Sequence, residues 1–156
     1  MKRLRLLGDK TKQRAEVAAS FARFEEAENL YRAADRMDLA VELRMRTGEW
    51  GRVLELLEAP GGGGAGDDEL LKLTRDRLGD FYADRGQWTK AIPLYQSTGN
   101  AEALCEAYYI VEDYEGLVSL AETLPAGNPV LKNLGQKLAS VGITEGSAKV
   151  GFELVC

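Results

Sequence analysis

The sequence contains no histidine among its 156 residues, and its only cysteines are Cys105 and Cys156. Histidine is the commonest general base in enzymes and the commonest metal ligand in proteins. The chain therefore lacks the residue that most often fills either role. Two distant cysteines without a Cys-x-x-Cys spacing do not form a zinc site, and disulfide scaffolds use more cysteines in shorter chains. We therefore predict no catalytic, cofactor-binding or metal-ligating residues, and a reducing compartment.

Long apolar runs and excess positive charge are also missing. No stretch approaches the ~18–20 consecutive apolar residues of a membrane span, and no signal peptide is recognisable. The 20 Lys and Arg residues are outnumbered by 25 Asp and Glu residues, and the pI is near 4.9. Nucleic-acid binding depends on clustered positive charge, and the short basic start at Lys2–Arg5 is interpreted as a solvated lead into a helix. We expect a soluble intracellular protein with no nucleic-acid partner, no direct membrane insertion and no small-molecule substrate.

A short pattern recurs four times along the chain. A polar or glycine-bearing turn precedes an aromatic residue, a small or aliphatic residue follows three positions on, and another apolar residue follows four beyond that. The copies are Phe24-Ala27-Tyr31, Trp50-Val53-Leu57, Trp88-Ala91-Tyr95 and Tyr114-Leu117-Ala121, with a weaker fifth at Ile143-Gly146-Val150. Steps of three and four place each trio on one stripe of a helix. Such a unit is a helical hairpin that buries its apolar face by stacking on its neighbours.

The spacing of the copies locates an insertion. The turn aromatics Phe24 and Trp50 are 26 residues apart, as are Trp88 and Tyr114, whereas Trp50 and Trp88 are 38 apart. The extra residues of the longer interval lie around the glycine-rich stretch Pro60–Gly66. This stretch lacks the Gly-Lys-Ser/Thr of a phosphate-binding loop. Glycine-rich backbone carries no packing side chains and loses much entropy on ordering. We predict a flexible loop over residues 59–67, inserted between hairpins and not a domain boundary.

Periodicity and turn signals predict ten helices in five hairpins. The first nine are predicted at residues 9–22, 24–34, 38–46, 50–57, 67–85, 88–97, 101–111, 114–123 and 130–141, and the fifth repeat copy supplies the tenth. No segment shows the alternation of a strand. The predicted fold is all-α: an α-solenoid of about five hairpins similar to tetratricopeptide repeats, a fragment of a right-handed superhelix, forming one segment over residues 1–156.

Some side chains carry specific expectations. In the first helix Ala15, Ala18 and Phe21 are expected to face inward. Asp38 is expected to cap the start of its helix, and Gly48 to end that helix in the left-handed conformation.

Charged, aromatic and thiol side chains receive structural interpretations. The carboxylates Glu25, Glu26 and Glu28, and those of residues 67–69, are interpreted as caps and solvated faces because helix N-termini favour negative charge. The turn aromatics are expected to pack between hairpins and not to stack on a ligand. Either Phe81 or Tyr82 is expected to face inward, and Cys105 is expected to be a buried small hydrophobe.

The third hairpin matches the tetratricopeptide pattern most closely. Its Leu78-Gly79 pair and its Tyr82, Ala91 and Tyr95 fall at the spacings of that motif. Arg75 replaces the leading tryptophan of the motif and Thr98 replaces its later alanine, so the hairpins are described as tetratricopeptide-like.

Longer strings resemble one protein family in their order and content. The strings are Phe21–Glu28, Arg36–Ala40, Gly48–Leu54, Gly79–Arg85, Tyr108-Tyr109 and Val111–Leu117. Together they are similar to the helical-repeat region of a subunit of intraflagellar transport complex A, over roughly residues 14–150. The glycine-rich loop departs from that likeness.

The resemblance implies a function in cilia. It implies a piece of a larger protein with N-terminal WD-repeat propellers and a C-terminal solenoid. It also implies a cytoplasmic protein that is associated with the cytoskeleton at the cilium and basal body. Complex A serves return transport from the ciliary tip and the entry of membrane proteins into the cilium. The family brings no catalytic residues, so the implied role is a non-enzymatic scaffold whose partners are the other complex A subunits.

Two alternatives remain open at this point. Vesicle-coat subunits of the COPI or clathrin type combine propellers and solenoids in the same way, so a coat scaffold is one. A free tetratricopeptide module that grips peptide termini is the other. That module needs lysine and asparagine side chains converging on its groove, whereas the inner-helix positions here include Ala15, Ala18, Asp80 and Ala107.

Both ends of the sequence suggest a fragment. Helical sequence begins almost at once, and a solenoid normally closes with a repeat whose outer face is polar. The last residues instead include Phe152, Leu154 and Val155, and we expect this apolar end to associate.

Overall fold

The computed structural model describes residues 2–60 and 68–142, with side chains from residue 9 onward. Every regular element in these ranges is an α-helix. The helices are α1 (Lys2–Ser20), α2 (Phe24–Ala33), α3 (Met37–Arg46), α4 (Trp50–Glu58), α5 (Asp68–Asp84), α6 (Trp88–Thr98), α7 (Ala101–Ile110), α8 (Tyr114–Thr123) and α9 (Val130–Ser140). The predicted all-α helical-repeat fold is confirmed, with most boundaries within two residues of the prediction.

Three parts of the sequence-based expectation lie outside the described residues. They are the glycine loop at 61–67, the fifth repeat copy at Ile143–Val150, and the apolar end at 151–156. The fifth hairpin and the right-handed course therefore stay predictions.

The chain divides into two compact units, Met1–Thr74 and Arg75–Cys156. In the first unit the buried core residues are Ala15, Ala18, Ala27, Tyr31, Ala40, Val41, Leu43, Val53, Leu56 and Leu57. In the second they are Ala91, Tyr95, Leu104, Cys105, Tyr108, Leu117, Leu120, Ala121, Leu131, Leu134 and Leu138. Each unit has its own apolar core, and the expectation of a single segment over 1–156 is untested.

The repeated trios form the stacking stripes of α2, α4, α6 and α8. In every trio the second and third members are buried: Ala27 and Tyr31, Val53 and Leu57, Ala91 and Tyr95, Leu117 and Ala121. The leading aromatics Phe24, Trp50, Trp88 and Tyr114 are partly buried and pack against the two cores. Each aromatic is the first residue of its helix, so its ring covers the edge of the core and does not fill its centre.

Six connections between helices share one turn. In each, one residue has a positive φ, and the next residue donates its N–H to a carbonyl five positions earlier at 2.8–3.1 Å. The left-handed residues are Ala22, Asp35, Gly48, Gly86, Gly99 and Glu112. This is the Schellman arrangement, which satisfies carbonyls at the end of a helix. The residue after the left-handed one is also the N-cap of the following helix, so one turn ends one helix and starts the next.

Two expectations about helix ends are wrong. Phe21 is 71% exposed, because it follows the end of α1 and its ring turns outward, 5.9 Å from the Arg23 guanidinium carbon. Asp38 does not cap α3: the N-cap is Arg36, without a side-chain cap, and Asp38 accepts hydrogen bonds from Nε and Nη2 of Arg36 at 3.0 and 2.9 Å. Gly48 is left-handed, as predicted, with φ of 75°.

The close contact of the tetratricopeptide pattern is present between α5 and α6. Gly79 lies against the buried ring of Tyr95, and a Cβ added at Gly79 would be 2.6 Å from Tyr95 Cε1. The Tyr95 hydroxyl donates to Asp80 Oδ1 at 2.8 Å, which fixes the ring. Of the two candidates for an inward aromatic, Tyr82 packs against the core and Phe81 is 36% exposed.

The left-handed turns predict a reciprocal pair of substitutions. An L-residue in this conformation costs roughly 1–2 kcal/mol, and Gly avoids that cost while losing more chain entropy. We expect Ala22→Gly to raise the free energy of unfolding by about 0.5–1 kcal/mol, and Gly48→Ala, which meets no neighbouring atom, to lower it by about 1 kcal/mol. Urea unfolding measures both, and equal signs for the two changes would contradict the conformational explanation.

The Gly79 contact predicts a change whose sign depends on its partner. Alanine is favoured over glycine in a helix by about 1 kcal/mol, but overpacking against a fixed ring costs roughly 1–3 kcal/mol. We expect Gly79→Ala to destabilise the chain by about 1 kcal/mol. In a Tyr95→Leu background, which removes the ring, the same change should stabilise it. Urea unfolding of the four chains in this double-mutant cycle provides the test, and a loss of the same size in both backgrounds would rule out the contact as the cause.

Candidate interaction surface and its charged core

Glu28 occupies a repeat position that is apolar in the other hairpins. It lies four residues after the turn aromatic of α2, where the equivalent residues are Leu54, Ile92 and Val118. Its side chain is buried, with 1% of the residue exposed. The interpretation as a cap or solvated carboxylate is therefore wrong for Glu28, whereas its neighbours Glu25 and Glu26 are exposed.

Two arginines donate hydrogen bonds to this buried carboxylate. Arg44 of α3 donates from Nε to Glu28 Oε2 at 2.7 Å. Arg52 of α4 donates from Nε to both carboxylate oxygens at 3.1 Å, and its Nη2 also bonds Oε1. Buried charges are stable only when paired and hydrogen-bonded, and Glu28 meets both conditions.

Arg44 also replaces an apolar residue of the repeat. It lies four residues before the left-handed Gly48, where the other hairpins have Ala18, Tyr82 and Tyr108. It is 5% exposed, and its Nη1 donates to the two oxygens of Glu49 at 2.8 and 3.0 Å. Aligning the repeats in register would have found this site, because one acid and one base stand at two otherwise apolar positions.

The charged core extends to the surface through a polar cleft. Its volume is about 420 Å³, and it is lined by Glu25, Asn29, Arg44, Glu49 and Arg52. Arg52 Nη1 also bonds Glu55 Oε2 at 2.8 Å. Both guanidiniums that line the cleft, those of Arg44 and Arg52, are already paired with carboxylates, an arrangement suited to polar docking.

The titration of Glu28 follows from these contacts. Burial alone would raise the pKa of its carboxyl group, but the hydrogen bonds from Arg52 and Arg44 outweigh burial and hold the pKa below its ordinary value. Since the folded-state pKa is depressed, the charged pair adds stability at pH values above the unfolded pKa of about 4.3. That stability is lost as the pH falls through the folded-state pKa.

Exposed apolar side chains form a second kind of surface. The large ones are Val17, Phe21, Leu73, Phe81, Ile110 and Val111. Around Phe81, the Arg85 guanidinium carbon lies 3.5 Å from the ring centroid, and the Tyr82 ring meets it edge-on at 5.6 Å. Aromatic residues and arginine are both enriched at protein–protein interfaces, and a guanidinium over a ring combines apolar area with charge.

Within residues 2–60 and 68–142, no three acidic or thiol side chains come together as a metal site. The helices described there are each too short or too polar to cross a membrane. Cys105 is buried, as predicted, and burial raises the pKa of its thiol to about 11, so the thiol is protonated at neutral pH and is a poor nucleophile.

The buried pair predicts a pH-dependent loss. We expect Glu28→Gln to lower the free energy of unfolding at pH 7 by about 3 kcal/mol, the lower end for a broken buried pair because Arg44 keeps Glu49 and Arg52 keeps Glu55. The difference from the parent chain should shrink as the pH falls below about 4.3. Chemical unfolding from pH 7 to pH 3 measures it, with the exposed Glu26→Gln as matched control, expected to change stability by less than about 0.5 kcal/mol.

A double substitution separates pairing from packing. Replacing both partners by apolar side chains, as in Glu28→Leu/Arg44→Met, should recover stability to within about 1 kcal/mol of the parent chain. A double variant as unstable as Glu28→Gln would show that the charges themselves are required.

Comparison with known proteins gives three mammalian relatives, and no family model matches the chain. WD repeat-containing protein 35 is 45% identical over 145 residues in Rattus norvegicus, 44% over 145 in Homo sapiens and 43% over 148 in Mus musculus. Each alignment covers 93% of this chain, and the chain spans only 12% of the length of each relative. Over 93% of its length the chain is therefore similar to one segment of WD repeat-containing protein 35.

Proposed function

We propose that this chain is a non-catalytic scaffold segment of a subunit of intraflagellar transport complex A. The observation that carries the proposal is the 43–45% identity to WD repeat-containing protein 35 over 93% of the chain. That protein is the complex A subunit whose helical-repeat region the ordered strings resemble. The segment would assemble with other complex A subunits at the cilium and basal body, in support of retrograde transport and ciliary cargo entry.

The mechanism is geometric. Within each unit, helical hairpins joined by short turns hold their outer side chains at fixed spacings, so each unit presents an ordered array of groups to a partner. Both kinds of surface needed for assembly are available: exposed apolar side chains such as Phe81 and Ile110, and the polar cleft over Glu28. Apolar anchors supply most binding energy in protein interfaces, and charged rims supply specificity.

Affinity purification tests the proposal. The tagged chain would be expressed in ciliated cells and recovered with its partners for mass spectrometry, with the tag alone as control. We expect enrichment of complex A subunits. Recovery of vesicle-coat subunits in their place would favour the coat scaffold, and recovery of chaperones bearing acidic C-terminal peptides would favour the free tetratricopeptide module.

A second experiment tests whether the segment supports localisation to the cilium. A fluorescent full-length relative in which this chain replaces the corresponding segment should reach the basal body and cilium, and restore cilia in cells that lack the native protein. If the hybrid protein is intact and folded but neither reaches the cilium nor restores cilia, the ciliary role of the segment is contradicted.

A further inference from the structure

Tyr31 and Tyr95 hold the same place in their repeats, but their phenol groups differ in hydrogen bonding. Each is the third member of its trio, and each ring is buried in the core of its own unit. The Tyr95 hydroxyl donates to Asp80 Oδ1, 15 positions earlier in the sequence, at 2.8 Å. The residue 15 positions before Tyr31 is Glu16, and its carboxylate lies 3.9 Å from Lys12 Nζ on the same helix. The equivalent carboxylate of the first unit is therefore not bonded to its tyrosine.

The Tyr31 hydroxyl opens into a cavity of the first unit. Tyr31 is only 4% exposed, and its hydroxyl has no hydrogen-bond partner among the described residues. Every fully enclosed polar side-chain atom in that part of the chain does have a partner, so the Tyr31 hydroxyl is not fully enclosed. The cavity that Tyr31 lines has a volume of about 440 Å³, and its other lining residues include Glu16, Ala19, Leu43 and Arg46. An unpaired hydroxyl of a buried side chain in a partly apolar cavity is a group that a ligand can satisfy.

This cavity does not depend on where the sequence begins. Its lining comes from α1 and α3, the first helices of two successive hairpins, and from α2, which joins them in the sequence. Each hairpin of a helical-repeat array contacts only its neighbours in the sequence. A repeat that precedes α1 would therefore pack on the side of α1 away from α3, and would not enter the space between them. An occupant of the cavity comes from outside the array of repeats.

The polar groups of the cavity are suited to a carboxylate. Burial raises the pKa of the Tyr31 phenol above its ordinary value, so the phenol is protonated at neutral pH and can donate a hydrogen bond. Of the two charged side chains named in the lining, Glu16 lies beside Lys12, whereas Arg46 makes no ion pair with the described residues. The cavity thus offers one hydroxyl donor and one unpaired guanidinium, next to the apolar side chain of Leu43.

We propose that this cavity binds a carboxylate side chain of a partner protein, with the Tyr31 hydroxyl and the Arg46 guanidinium as its two donors. The precedent lies in the second unit, where the equivalent phenol already holds the carboxylate of Asp80. Hydrogen bonds to an ionised group are roughly twice as strong as those between neutral groups. The inference rests on the proposed scaffold function and adds to it a binding site and the chemistry of the group that the site takes.

A stability comparison tests whether the hydroxyl is unpaired in the free chain. Tyr95→Phe removes a hydrogen bond and leaves Asp80 without its donor, so we expect it to lower the urea midpoint of unfolding. Tyr31→Phe removes a hydroxyl that has no partner, and we expect the midpoint to stay unchanged. A loss for Tyr31→Phe as large as that for Tyr95→Phe would show that Glu16 already satisfies the hydroxyl, and would overturn the inference.

Titration with short capped peptides tests binding to the whole 156-residue chain. The first peptide has an aspartate between leucines and blocked ends, so the side chain is its only carboxylate. The second has asparagine in place of aspartate, and the third has asparagine with a free terminal carboxylate. Anisotropy of a fluorescent label gives the affinity of each peptide. NMR of ¹³C-labelled tyrosine rings gives the location, since the Tyr31 signal is identified by its loss in Tyr31→Phe.

We expect the aspartate peptide to move the Tyr31 signal saturably and to bind about tenfold or more tightly than the asparagine peptide. Arg46→Glu should weaken its binding by about tenfold or more, and added salt should weaken it as well. Glu16→Gln should strengthen binding, because it removes a like charge from the cavity. The matched control is Arg77→Glu on α5, which reverses another exposed arginine and should leave binding unchanged.

Three results of the titration would overturn the inference: no saturable binding of the aspartate peptide, equal binding of the asparagine peptide, or an unmoved Tyr31 signal. Tighter binding of the peptide with the free terminus would also overturn it, because the cavity would then take a chain end and not a side chain.

The cell purification separates this site from the proposed function. If the parent chain recovers complex A subunits and Arg46→Glu loses at least one of them while Arg77→Glu loses none, the site is supported. If Arg46→Glu recovers the same set as the parent chain, the site is refuted and the scaffold function stands. If the parent chain recovers none, the scaffold function fails, and the peptide titration decides the site.

Discussion

The three-residue turn is the constraint on which the hairpins depend. Within each hairpin three residues separate the two helices. The middle one is left-handed, and the last one both closes the finished helix and caps the next, so the two helices are joined without a loop of their own. The turn places an aromatic residue first in each second helix, and from there steps of three and four carry apolar side chains into the core. The position of each turn therefore determines which side chains of the following helix are buried.

Much of this arrangement was predictable because it is periodic. The eight buried trio residues were identified from spacing alone, and Gly48 marked the turn after α3 because glycine favours a positive φ. The left-handed Ala22, Asp35 and Glu112 were not predictable in this way, since each carries a Cβ that disfavours the conformation. Phe21 was misplaced for the related reason that periodicity does not indicate where a helix stops. The same helix-end uncertainty explains the cap wrongly assigned to Asp38, which bonds its neighbour Arg36.

The charged core shows what single-residue reasoning misses. A glutamate near a helix start is usually solvated, and nothing in the residues around Glu28 indicates otherwise. Its burial depends on Arg44 and Arg52, 16 and 24 positions away, which approach it only because the first two hairpins stack. A buried pair is a weak source of net stability, but it penalises a neighbour that leaves either charge unpaired. The pair is therefore best understood as specifying which hairpin stacks on which.

The shared turn residue also determines where the chain can change in length. An α-helix rotates by about 100° per residue, so one residue added between the N-cap and the trio would move all three side chains off the stripe and towards solvent. The number of residues in each hairpin is therefore fixed. Inserting or deleting one residue would disrupt every later contact of that helix. The connection from α4 to α5 is nine residues long, between Glu58 and Asp68, and it contains the extra residues that separate Trp50 from Trp88 in the sequence. The repeat period is broken at that connection, and it is the place where a label, a tag or a second domain can be inserted without rotating a helix.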